Sequence, residues 1–471
     1  MKSPAAVLLL VPALAAAEPV SIAAPPDAAL VTPHRIEVLA TGLIVPWELR
    51  FLPDGRQIFT ERSGKVRIIE EGKLLEDPAL TVSAAQDNKM GLLGLVLAPD
   101  FAKSGHLFLA WDKQTGEKQF ELRMERYRLE GHKLVEPKTI IEGIAANRNH
   151  TGCRLEFGPD GMLYMTTGDA DRQEGAQKLD QLHGKILRFN ADGSVPADNP
   201  FTGKEGARPE IWSYGHRNPQ GIAFQPGTGR LYESEHGPLH GDEVNLIEKG
   251  ANYGWPVISH RREAEGMRTP LIEITPAAGP GKLLFYQGTA FPELRGCLLM
   301  ACLRGEAVFR ISLGGDGLPS HVERLWHRKW GRVRFISEAP DGSLWLGTSM
   351  QDPAEGKPRE GDDRLVRIVA DPAGTVEAIA GKEAAPVLLT PETKDPETII
   401  AAACAACHGP GLAGGEKRGL LSGDFKHLKD PADLERIIRD GVPQAGMPPA
   451  SGLLTDAQIS TLADYIRAKR H

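Results

Sequence analysis

Apolar and polar positions alternate in a unit that recurs through most of the chain. In each copy an apolar strand runs into a Pro-Asp-Gly-like turn, and a second strand rich in β-branched or aromatic residues follows. Aspartate and glycine suit tight turns and the flanking residues suit strands, so each unit predicts a β-hairpin. Clear copies occupy 49–60, 95–111, 155–166, 222–232 and 335–346, and a less regular one combines 297–302 with 308–311.

The spacing of these hairpins predicts how they assemble. The copies follow one another at intervals of roughly 40 to 60 residues, as do the four-stranded blades of a β-propeller. A β-sandwich is the alternative, but it does not account for a repeated hairpin turn. We therefore predict a mainly β fold with a six-bladed β-propeller over 34–385.

Beyond residue 385 the pattern changes from strands to helices. Prolines mark a linker over 386–396. One helix is predicted to begin around 430–433 and to end at Gly441. Thr455 and Gln458 form a capping box that begins a last helix with one apolar side. These signals predict a small all-α domain after the propeller.

This all-α domain, 397–471, contains the spacing of covalent haem attachment: Cys404, Cys407 and His408. On a helix the three side chains share one face, so both thiols can bond one porphyrin while His408 binds the iron. A zinc knuckle is the alternative, but it needs a second ligand pair. Met447, in a Gly/Pro loop between helices, is the expected sixth iron ligand, because thioether ligation suits an electron-transfer haem. We therefore predict a cytochrome c domain.

The N-terminus and the charge indicate where the protein works. Lys2, an apolar run over 7–14 and small residues at 15–17 predict a secretory signal peptide, 1–17. The run is too short to span a bilayer, so we expect an exported protein, periplasmic or secreted, without a membrane span. The net charge of −7, with no Lys/Arg run, argues against a nucleic-acid partner.

Three cysteines remain outside the haem motif. Cys297 and Cys302 are close enough in sequence for a disulfide across a turn. On one continuous strand, however, they would face opposite sides, so the pairing stays open. Cys153 is expected to be a buried thiol.

A histidine stands just before one predicted blade strand, where propeller loops open toward the axis. This residue, His150, lies in the segment 147–155. A histidine there can take a proton from a hydroxyl during hydride loss. The alternative is a purely structural histidine.

Four motifs in the propeller segment carry a family resemblance. They are Gly-His-Arg-Asn-Pro-Gln-Gly, Ser-Glu-His-Gly-Pro, Asp-Glu-Val-Asn-Leu-Ile and Gly-Ala-Asn-Tyr-Gly-Trp-Pro, at 215–221, 234–238, 242–247 and 250–256. In this order they resemble the soluble quinoprotein glucose/aldose sugar dehydrogenases, a family that includes sorbosone dehydrogenase-like members. The similarity covers nearly all of 34–385. It implies a six-bladed propeller that holds pyrroloquinoline quinone (PQQ) and Ca²⁺ in its axial cleft.

The resemblance also implies roles for individual residues. His150 resembles the base that takes the substrate C1 hydroxyl proton while a hydride passes to PQQ. Arg217 resembles the residue beside the quinone and the substrate oxygens. Further PQQ contacts are implied at Asn218, Gln220, Arg304, Arg332 and Arg334, with Arg304 standing where the family has a lysine.

Calcium sites are implied at two places. The backbone carbonyls of Gly237 and Pro238 resemble ligands of the catalytic Ca²⁺, an ion that prefers oxygen ligands. Glu243 and Tyr253 match residues around a second, structural Ca²⁺ in some members, and this site stays open.

Three positions depart from the family pattern. Lys89 stands where glucose-oxidising members have glutamine, Asn149 where an aspartate precedes the base, and Ser349 in place of another acidic residue. All three are expected at the rim of the substrate or cofactor site. Substrate choice and the basicity of His150 are therefore left open.

The combined expectation is an exported PQQ-dependent dehydrogenase that oxidises an aldose or a related sugar. Electrons would pass one at a time to its own haem c and then to an external acceptor, such as a soluble cytochrome. One alternative is a Ca²⁺-dependent six-bladed lactonase, which would want Glu, Asn and Asp side chains around an axial metal. Another is a non-catalytic binding propeller that carries a haem relay.

Overall fold

Six sheets follow one another along the chain, each built on four antiparallel strands, as the repeated hairpins predict. The computed structural model describes residues 20–22, 25–238, 240–352, 358–376, 388–389, 393–404, 408, 410–413, 420–421, 433–442, 447, 450 and 454–469. The innermost strand of each sheet contacts the innermost strand of the next, and the ring closes from the sixth sheet to the first. The predicted six-bladed β-propeller is confirmed.

Blades 1 to 3 form the first half of the ring. In each blade the first two strands, counted from the axis, form the predicted hairpin. From the axis outward, their strands are Pro46–Phe51, Gln57–Glu61, Lys65–Glu70 and Lys73–Leu74, with Leu80–Thr81 beside the third (blade 1); Leu92–Leu97, His106–Gly116, Gln119–Glu130 and Lys133–Ala146 (blade 2); and Gly152–Phe157, Leu163–Thr167, Lys185–Phe189 and Ile211–Tyr214 (blade 3).

Blades 4 to 6 complete the ring. Short N-terminal strands add to the outer edges of blades 4 and 5. From the axis outward, the strands are Pro219–Phe224, Leu231–Glu235, Asp242–Ile247, Ile272–Ile274, Val20–Ile22 and Leu388–Leu389 (blade 4); Pro280–Phe285, Leu298–Cys302, Ala307–Leu313, Pro319–Leu325 and Asp27–Ala28 (blade 5); and Val333–Glu338, Leu344–Thr348, Leu365–Ala370 and His34–Ala40 (blade 6).

Blade 6 joins the two ends of the propeller in one sheet. Its outermost strand, His34–Ala40, pairs antiparallel with the late strand Leu365–Ala370, with Val38 opposite Val366. This pairing closes the ring and leaves no open gap between the first and last blades.

The structure differs from the sequence prediction in two details. The less regular sixth hairpin forms, but as the second and third strands of blade 5, because Pro280–Phe285 lies inside it. Residues before the predicted propeller range also belong to a blade, since Val20–Ile22 pairs with Ile272–Ile274 and with Leu388–Leu389. Blade 4 therefore takes in residues on both sides of the predicted 34–385 range.

The cysteines of the propeller are free thiols. Cys153 is fully buried, as expected. Cys297 lies just before the strand Leu298–Cys302, and its thiol is near Ser312, whereas the Cys302 thiol is buried. The open question of a Cys297–Cys302 disulfide is therefore answered by two separate thiols.

A charged network crosses the axis between the innermost strands. The Glu48 carboxylate of blade 1 accepts hydrogen bonds from Arg154 of blade 3 and from Lys282 of blade 5, the latter at 2.5 Å. Arg154 Nε donates to the Gln220 carbonyl of blade 4 at 3.0 Å, and Lys282 Nζ donates to Ser337 Oγ of blade 6 at 2.8 Å. All five residues are buried, so this network fixes five blades relative to one another.

The helices predicted after the propeller are present. The described helices of the chain are Phe101–Ser104, Pro396–Ala403, Leu434–Asp440 and Asp456–Lys469, with 3-10 turns at Gln173–Gln177, Pro292–Leu294 and Pro410–Leu412. The predicted capping box is present, because Gln458 N donates to Thr455 Oγ1 at 3.2 Å and Thr455 N donates to Gln458 Oε1 at 2.9 Å. Buried apolar residues of the last three α-helices form one core.

Two sequence predictions fall on residues outside the described ranges. These are the signal peptide, 1–17, and most of the linker, 386–396. Among the described residues, no helix combines the length and the apolar character needed to span a membrane.

Candidate active site

The loops that lead into the innermost strands meet at one end of the propeller axis. His150, Arg217 and Arg332 each stand one or two residues before such a strand. The second strand of every blade runs antiparallel to the first, so the loop that leaves it reaches the same end. Those loops supply Asp169 in blade 3 and Asp352 in blade 6. The candidate site is therefore built from two sets of loops around one cleft.

His150 forms a dyad with a buried carboxylate. Its Nδ1 lies 2.8 Å from Asp169 Oδ1, and the other carboxylate oxygen accepts a hydrogen bond of 2.7 Å from the Trp255 indole. Burial opposes ionisation of Asp169, but the hydrogen bonds from His150 and Trp255 outweigh it and keep the pKa of Asp169 below its usual value. Since an ionised carboxylate only accepts, Nδ1 is the protonated ring nitrogen and Nε2 is left to act as a base.

Arg217 lies next to this dyad. Its guanidinium carbon is 5.2 Å from the centre of the Trp255 ring, and one terminal nitrogen donates to the His236 carbonyl at 2.9 Å. The Arg217 carbonyl accepts from Asp169 N at 2.8 Å, which links the loops of blades 3 and 4. The buried Nε of Arg217 has no hydrogen-bond partner among the described residues. Arg217 therefore has a donor left for a ligand.

A chain of hydrogen bonds runs from Asn218, which follows Arg217 in sequence, to Arg334 of blade 6. Gln220 Nε2 donates to Asn218 Oδ1 at 3.1 Å, and Arg334 donates to Gln220 Oε1 at 3.3 Å. A second nitrogen of Arg334 donates to Asp352 at 2.8 Å. The structure thus brings five of the predicted site residues into one connected group: His150, Arg217, Asn218, Gln220 and Arg334.

Three arginines surround the single carboxylate of Asp352. Arg334, Arg332 and Arg62 have nitrogens 2.8, 3.6 and 3.8 Å from its oxygens. Burial, followed by the charges of Arg332 and Arg62, lowers the pKa of Arg334 to about 9. Buried positive charge in excess of its partners is unfavourable unless an anion compensates it.

Atoms in this arginine cluster point to such an anion. The Nε of Arg334 and one terminal nitrogen of Arg62 are buried without a hydrogen-bond partner among the described residues. Guanidinium groups form forked hydrogen bonds with carboxylates. The donor set therefore fits a planar ligand with several carboxylates, which is the character of PQQ.

The expected calcium loop lies on the other side of Arg217. Gly237 N donates to Asp242 Oδ1 at 2.9 Å, and Gly279 N donates to Asp242 Oδ2 at 2.6 Å. Burial raises the pKa of Asp242 to about 6 against these backbone donors. The Pro238 carbonyl accepts from His240 N at 2.8 Å. The loop thus offers backbone carbonyl oxygens, the ligand type that Ca²⁺ prefers, beside a buried carboxylate.

His236, at the start of this loop, is held in its neutral form. Its Nε2 lies 2.8 Å from the Pro280 carbonyl, so Nε2 carries the proton. Burial, and then the positive charges of Lys89, Arg334 and Arg217, keep the pKa of His236 well below its usual value. His236 therefore adds no charge to the cleft.

A second group of oxygen ligands lies on one face of blade 4. Glu233 is opposite Asn245, and Glu235 is opposite Glu243, across neighbouring strands. Burial and the charge of Glu235 raise the pKa values of Glu233 and Glu243. Glu233 Oε1 and Asn245 Oδ1 are buried without a hydrogen-bond partner among the described residues. These oxygen atoms are suitable ligands for the second calcium ion expected at Glu243.

Tyr253 can take part in that site only in a restricted way. Its hydroxyl donates to the Leu246 carbonyl at 2.6 Å and accepts from Glu248 N at 2.8 Å. Its ring stacks on His216, with centroids 4.8 Å apart. A ligand role for Tyr253 would therefore fall to its carbonyl oxygen.

The positions that depart from the family pattern lie around the cleft. Asn149 Nδ2 is 3.3 Å from Asp171, and Ser349 Oγ accepts from Arg334 at 3.4 Å. The positive charge of Lys89 acts on both His236 and Asp352, so Lys89 lies near both. Arg304, predicted to contact PQQ, follows the strand Leu298–Cys302 on an exposed turn.

Sequence reasoning missed several residues of this site. They are Arg62, Asp169, Asp171, Trp255 and Asp352. Asp169 and Asp352 follow the second strands of their blades, two and four residues after the strand ends. The repeated hairpin could have pointed to both, because it predicts that these loops share one end with the loop of His150.

The predicted haem residues lie in the all-α domain. Cys404 N donates to the Ile400 carbonyl at 2.9 Å, and His408 N donates to the Cys404 carbonyl at 3.0 Å. Cys404 and His408 are therefore one helical turn apart, as the motif predicts, whereas Cys407 lies outside the described residues. Met447 forms a two-way backbone bridge with Val442, at 2.8 and 3.1 Å.

The site thus combines a His–Asp dyad and an arginine cluster at one end of a six-bladed propeller, and a small helical domain follows the propeller. Comparison with protein families agrees: residues 43–357 match the Glucose / Sorbosone dehydrogenase family, and residues 391–466 match cytochrome c oxidase, cbb3-type, subunit III. The chain belongs to the glucose/sorbosone dehydrogenase family and has a C-terminal cytochrome c domain.

Individual relatives support this assignment. The chain is 34% identical over 333 residues to aldose sugar dehydrogenase YliI of Escherichia coli K12. This match spans 67% of this chain and 90% of the relative. A structure from Thermus thermophilus, described as a glucose dehydrogenase, is 41% identical, with a TM-score of 0.66 over 71% of this chain and 100% of that one. The PQQ-bound aldose sugar dehydrogenase of Streptomyces coelicolor is 31% identical, with a TM-score of 0.62 over 74% of this chain and 99% of that one.

Proposed function

We propose that this protein is a PQQ-dependent dehydrogenase that oxidises an aldose or a related sugar and delivers the electrons to its own haem c. The observation that carries the proposal is the dyad of His150 and Asp169 beside Arg217, within one hydrogen-bonded group that ends at the arginine cluster. A base and an anion-binding cluster in one cleft are what hydride removal with a carboxylate-bearing cofactor requires.

In this proposal His150 takes the proton of the reacting hydroxyl on Nε2. Asp169 keeps the Nδ1 proton in place at 2.8 Å and stabilises the imidazolium that forms. Arg217, whose buried Nε has no hydrogen-bond partner within the described ranges, binds the oxygen that becomes a carbonyl. His150 and Arg217 thus divide the work between proton removal and charge stabilisation.

Binding of the cofactors is proposed for separate residues. Arg332 and Arg334, with Asn218, Gln220 and Arg304, hold PQQ, and the carbonyls of Gly237 and Pro238 hold Ca²⁺. Glu243 and the Tyr253 carbonyl are proposed for a second Ca²⁺. When bound, PQQ supplies an acceptor for hydride, and haem c supplies an acceptor for single electrons.

The haem is proposed to be held by Cys404 and Cys407, with His408 and Met447 on the iron. Two domains joined by a short flexible linker meet at an effective concentration of about millimolar. Because the haem domain and the propeller belong to one chain, electron transfer between them is favoured over transfer between separate molecules. The electrons would leave to an external acceptor such as a soluble cytochrome. Export to the periplasm or beyond, after removal of 1–17, fits this role.

The experiment is reduction of the haem by sugar. Haem-loaded protein is supplied with PQQ and Ca²⁺, and the haem absorbance is followed as aldoses, sorbosone and simple alcohols are added. We expect reduction with at least one sugar. His150→Gln should slow it by roughly 10²- to 10⁴-fold, the usual contribution of a general base, and leave reduction by dithionite intact.

Other outcomes would assign a different function. If no sugar or alcohol reduces the haem of protein loaded with PQQ and Ca²⁺, the proposal is wrong. Hydrolysis of lactones without PQQ would indicate a calcium lactonase, and neither activity would indicate a binding propeller with a haem relay.

A further inference from the structure

The ring of His150 faces a second carboxylate. Besides Asp169 at 2.8 Å, the Nδ1 atom has Asp171 Oδ1 at 3.2 Å. The two carboxylates differ in environment, because the Asp169 side chain is fully buried and that of Asp171 is 38% exposed. The proposed base therefore lies between an inner and an outer carboxylate.

Two asparagines hold the outer carboxylate in place. Asn147 Nδ2 and Asn149 Nδ2 lie 3.2 and 3.3 Å from Asp171 Oδ2, which leaves Oδ1 directed at the histidine. Asn149 is held in turn, since its Oδ1 accepts from Asn88 Nδ2 at 2.8 Å. The contact between Asp171 and His150 is therefore supported from three loop positions.

The backbone is bent to make this contact. His150, Ala170 and Asp171 have φ angles of 53°, 52° and 56°. Residues other than glycine adopt this left-handed region only where the surroundings hold them there. Two such residues in succession turn the loop after Asp169 back toward His150, which argues against a chance approach of an exposed side chain.

We propose that Asp171 is a positioning residue for His150: it shares the Nδ1 proton with Asp169 and stabilises the imidazolium formed in the reaction. This inference rests on the proposed function. The substrate hydroxyl proton passes to Nε2, and the hydride of the same carbon passes to the acceptor of that reaction. The net positive charge gained by the ring is then matched by two carboxylates instead of one.

The other charges around the ring set the direction of the effect. Negative groups favour the protonated ring and positive groups disfavour it. The charged groups of the loops packed around His150 are Asp169, Asp171, Arg217, Lys89 and Arg148, the last paired with Asp87 at 2.7 Å. Without Asp171, cations would outnumber carboxylates at the ring, so its loss should make the protonated ring less stable.

The contact between Asn149 and Asp171 provides a direct test. In Asp171→Asn the carboxylate is lost, and in the double variant Asn149→Asp/Asp171→Asn it is returned to the other side of the same 3.3 Å contact. The midpoint of His150 is read by NMR titration in PQQ-free protein, with the signal assigned through His150→Gln. Asp171→Asn should lower the midpoint by about one pH unit, and the double variant should restore most of that shift.

A matched control separates this effect from a general loss of charge. Asp192 is an exposed aspartate in a turn of blade 3 that accepts two hydrogen bonds from Ser194, at 2.8 and 2.6 Å. Asp192→Asn should leave the His150 midpoint unchanged. A midpoint in Asp171→Asn equal to that of the wild type would overturn the inference.

The NMR readout also keeps this inference distinct from the proposed function, because it needs no turnover. A shifted midpoint in a protein whose haem no sugar reduces would support the positioning role and refute the dehydrogenase. An unshifted midpoint in a protein that oxidises sugar would do the reverse. In active enzyme, the acid limb of kcat/KM should move to lower pH with the midpoint.

Discussion

Trp255 donates its indole N–H to Asp169 across 2.7 Å, and the opposite side of the same carboxylate faces His150. The guanidinium carbon of Arg217 also lies over the Trp255 ring, 5.2 Å from the ring centre. One side chain from blade 4 thus orients both partners of the proposed reaction, the base through its aspartate and the arginine through the ring.

Trp255→Phe should separate these two roles, because it keeps a ring for Arg217 and removes the N–H. A hydrogen bond to a charged group contributes about 1.5–3 kcal/mol, so we expect kcat to fall at least about tenfold. The pKa of Asp169, now below its usual value, should rise. A more basic Asp169 holds the added proton in the dyad more strongly, so activity on the acid side should begin to fall at a higher pH than in the wild type, measured as kcat/KM against pH.

Trp345→Phe is the matched control for that variant. Trp345 lies in blade 6, and its buried indole N–H has no hydrogen-bond partner among the described residues. The control should keep the wild-type pH profile. If Trp255→Phe also kept it, the indole hydrogen bond would have no role in the dyad.

Arg334→Lys should weaken PQQ binding although it retains a cation. A lysine loses the forked donors, and Arg334 already has a pKa lowered to about 9 by burial and by its neighbours. Loss of a buried charge-assisted contact typically costs about 2–5 kcal/mol, so the Kd should rise on the order of 10²-fold or more. Titration of PQQ-free protein by tryptophan fluorescence measures it, since Trp47 lies 4.2 Å from the Arg334 guanidinium carbon.

The pH dependence of the wild type offers a second check of the same cluster. Arg334 attracts an anion only while protonated, so PQQ binding should weaken as the pH rises through about 9.

Arg367→Lys is the control for the Arg334→Lys variant, because Arg367 makes a guanidinium–indole contact with Trp345 on the outer part of blade 6. Equal affinities for Arg334→Lys and Arg367→Lys would exclude the arginine cluster as the PQQ site.

The number of blades could be predicted because the hairpin turn is a local feature. In five blades the connection between the first two strands is shorter than in blade 5, so the repeated turn identifies the two strands nearest the axis. In blade 5 the first strand, Pro280–Phe285, leads instead into a longer connection with a 3-10 turn at Pro292–Leu294, which hid it. The pairing of His34–Ala40 with Leu365–Ala370 joins distant segments, and no local pattern reports such a partner.

The site could be predicted only as far as its motifs extended. His150 and Arg217 were found because they stand beside recognisable strands and turns. Asp169, Asp171 and Asp352 were missed, because their roles depend on which loops meet at one end of the axis. The carboxylate absent at Asn149 illustrates the limit, since Asp171 supplies one from a different loop.

Glu48→Gln should destabilise the propeller. It leaves the buried cations of Arg154 and Lys282 without their carboxylate, which costs roughly 3–5 kcal/mol of the free energy of unfolding. Urea unfolding at neutral pH measures the change. Glu37→Gln, which breaks partly exposed pairs with Arg35 and Arg367, should cost less than about 1 kcal/mol.

The same network should make stability depend on acidity. Burial raises the pKa of Glu48, but Lys282, Arg50 and Arg154 outweigh it and lower the pKa to about 2, from 4.5. A lowered folded-state pKa stabilises the protein above the unfolded value and is lost as the pH falls from about 4.5 to 2. Glu48→Gln should lack this dependence, and an unchanged acid slope would show that Glu48 is not the group responsible.

Met447→His should lower the reduction potential of the haem, because methionine with histidine holds a haem iron at higher potential than two histidines do. Axial ligands tune haem potentials over about 0.8 V, so a shift on the order of 100 mV is expected in a spectroscopic redox titration. The backbone of Met447 is bridged to that of Val442, and the substitution changes only the side chain. Met300→Leu, in the buried core of blade 5, should leave the potential unchanged. A lower potential should also slow sugar-driven haem reduction in Met447→His, and a potential equal to that of the wild type would assign the sixth ligand to another residue.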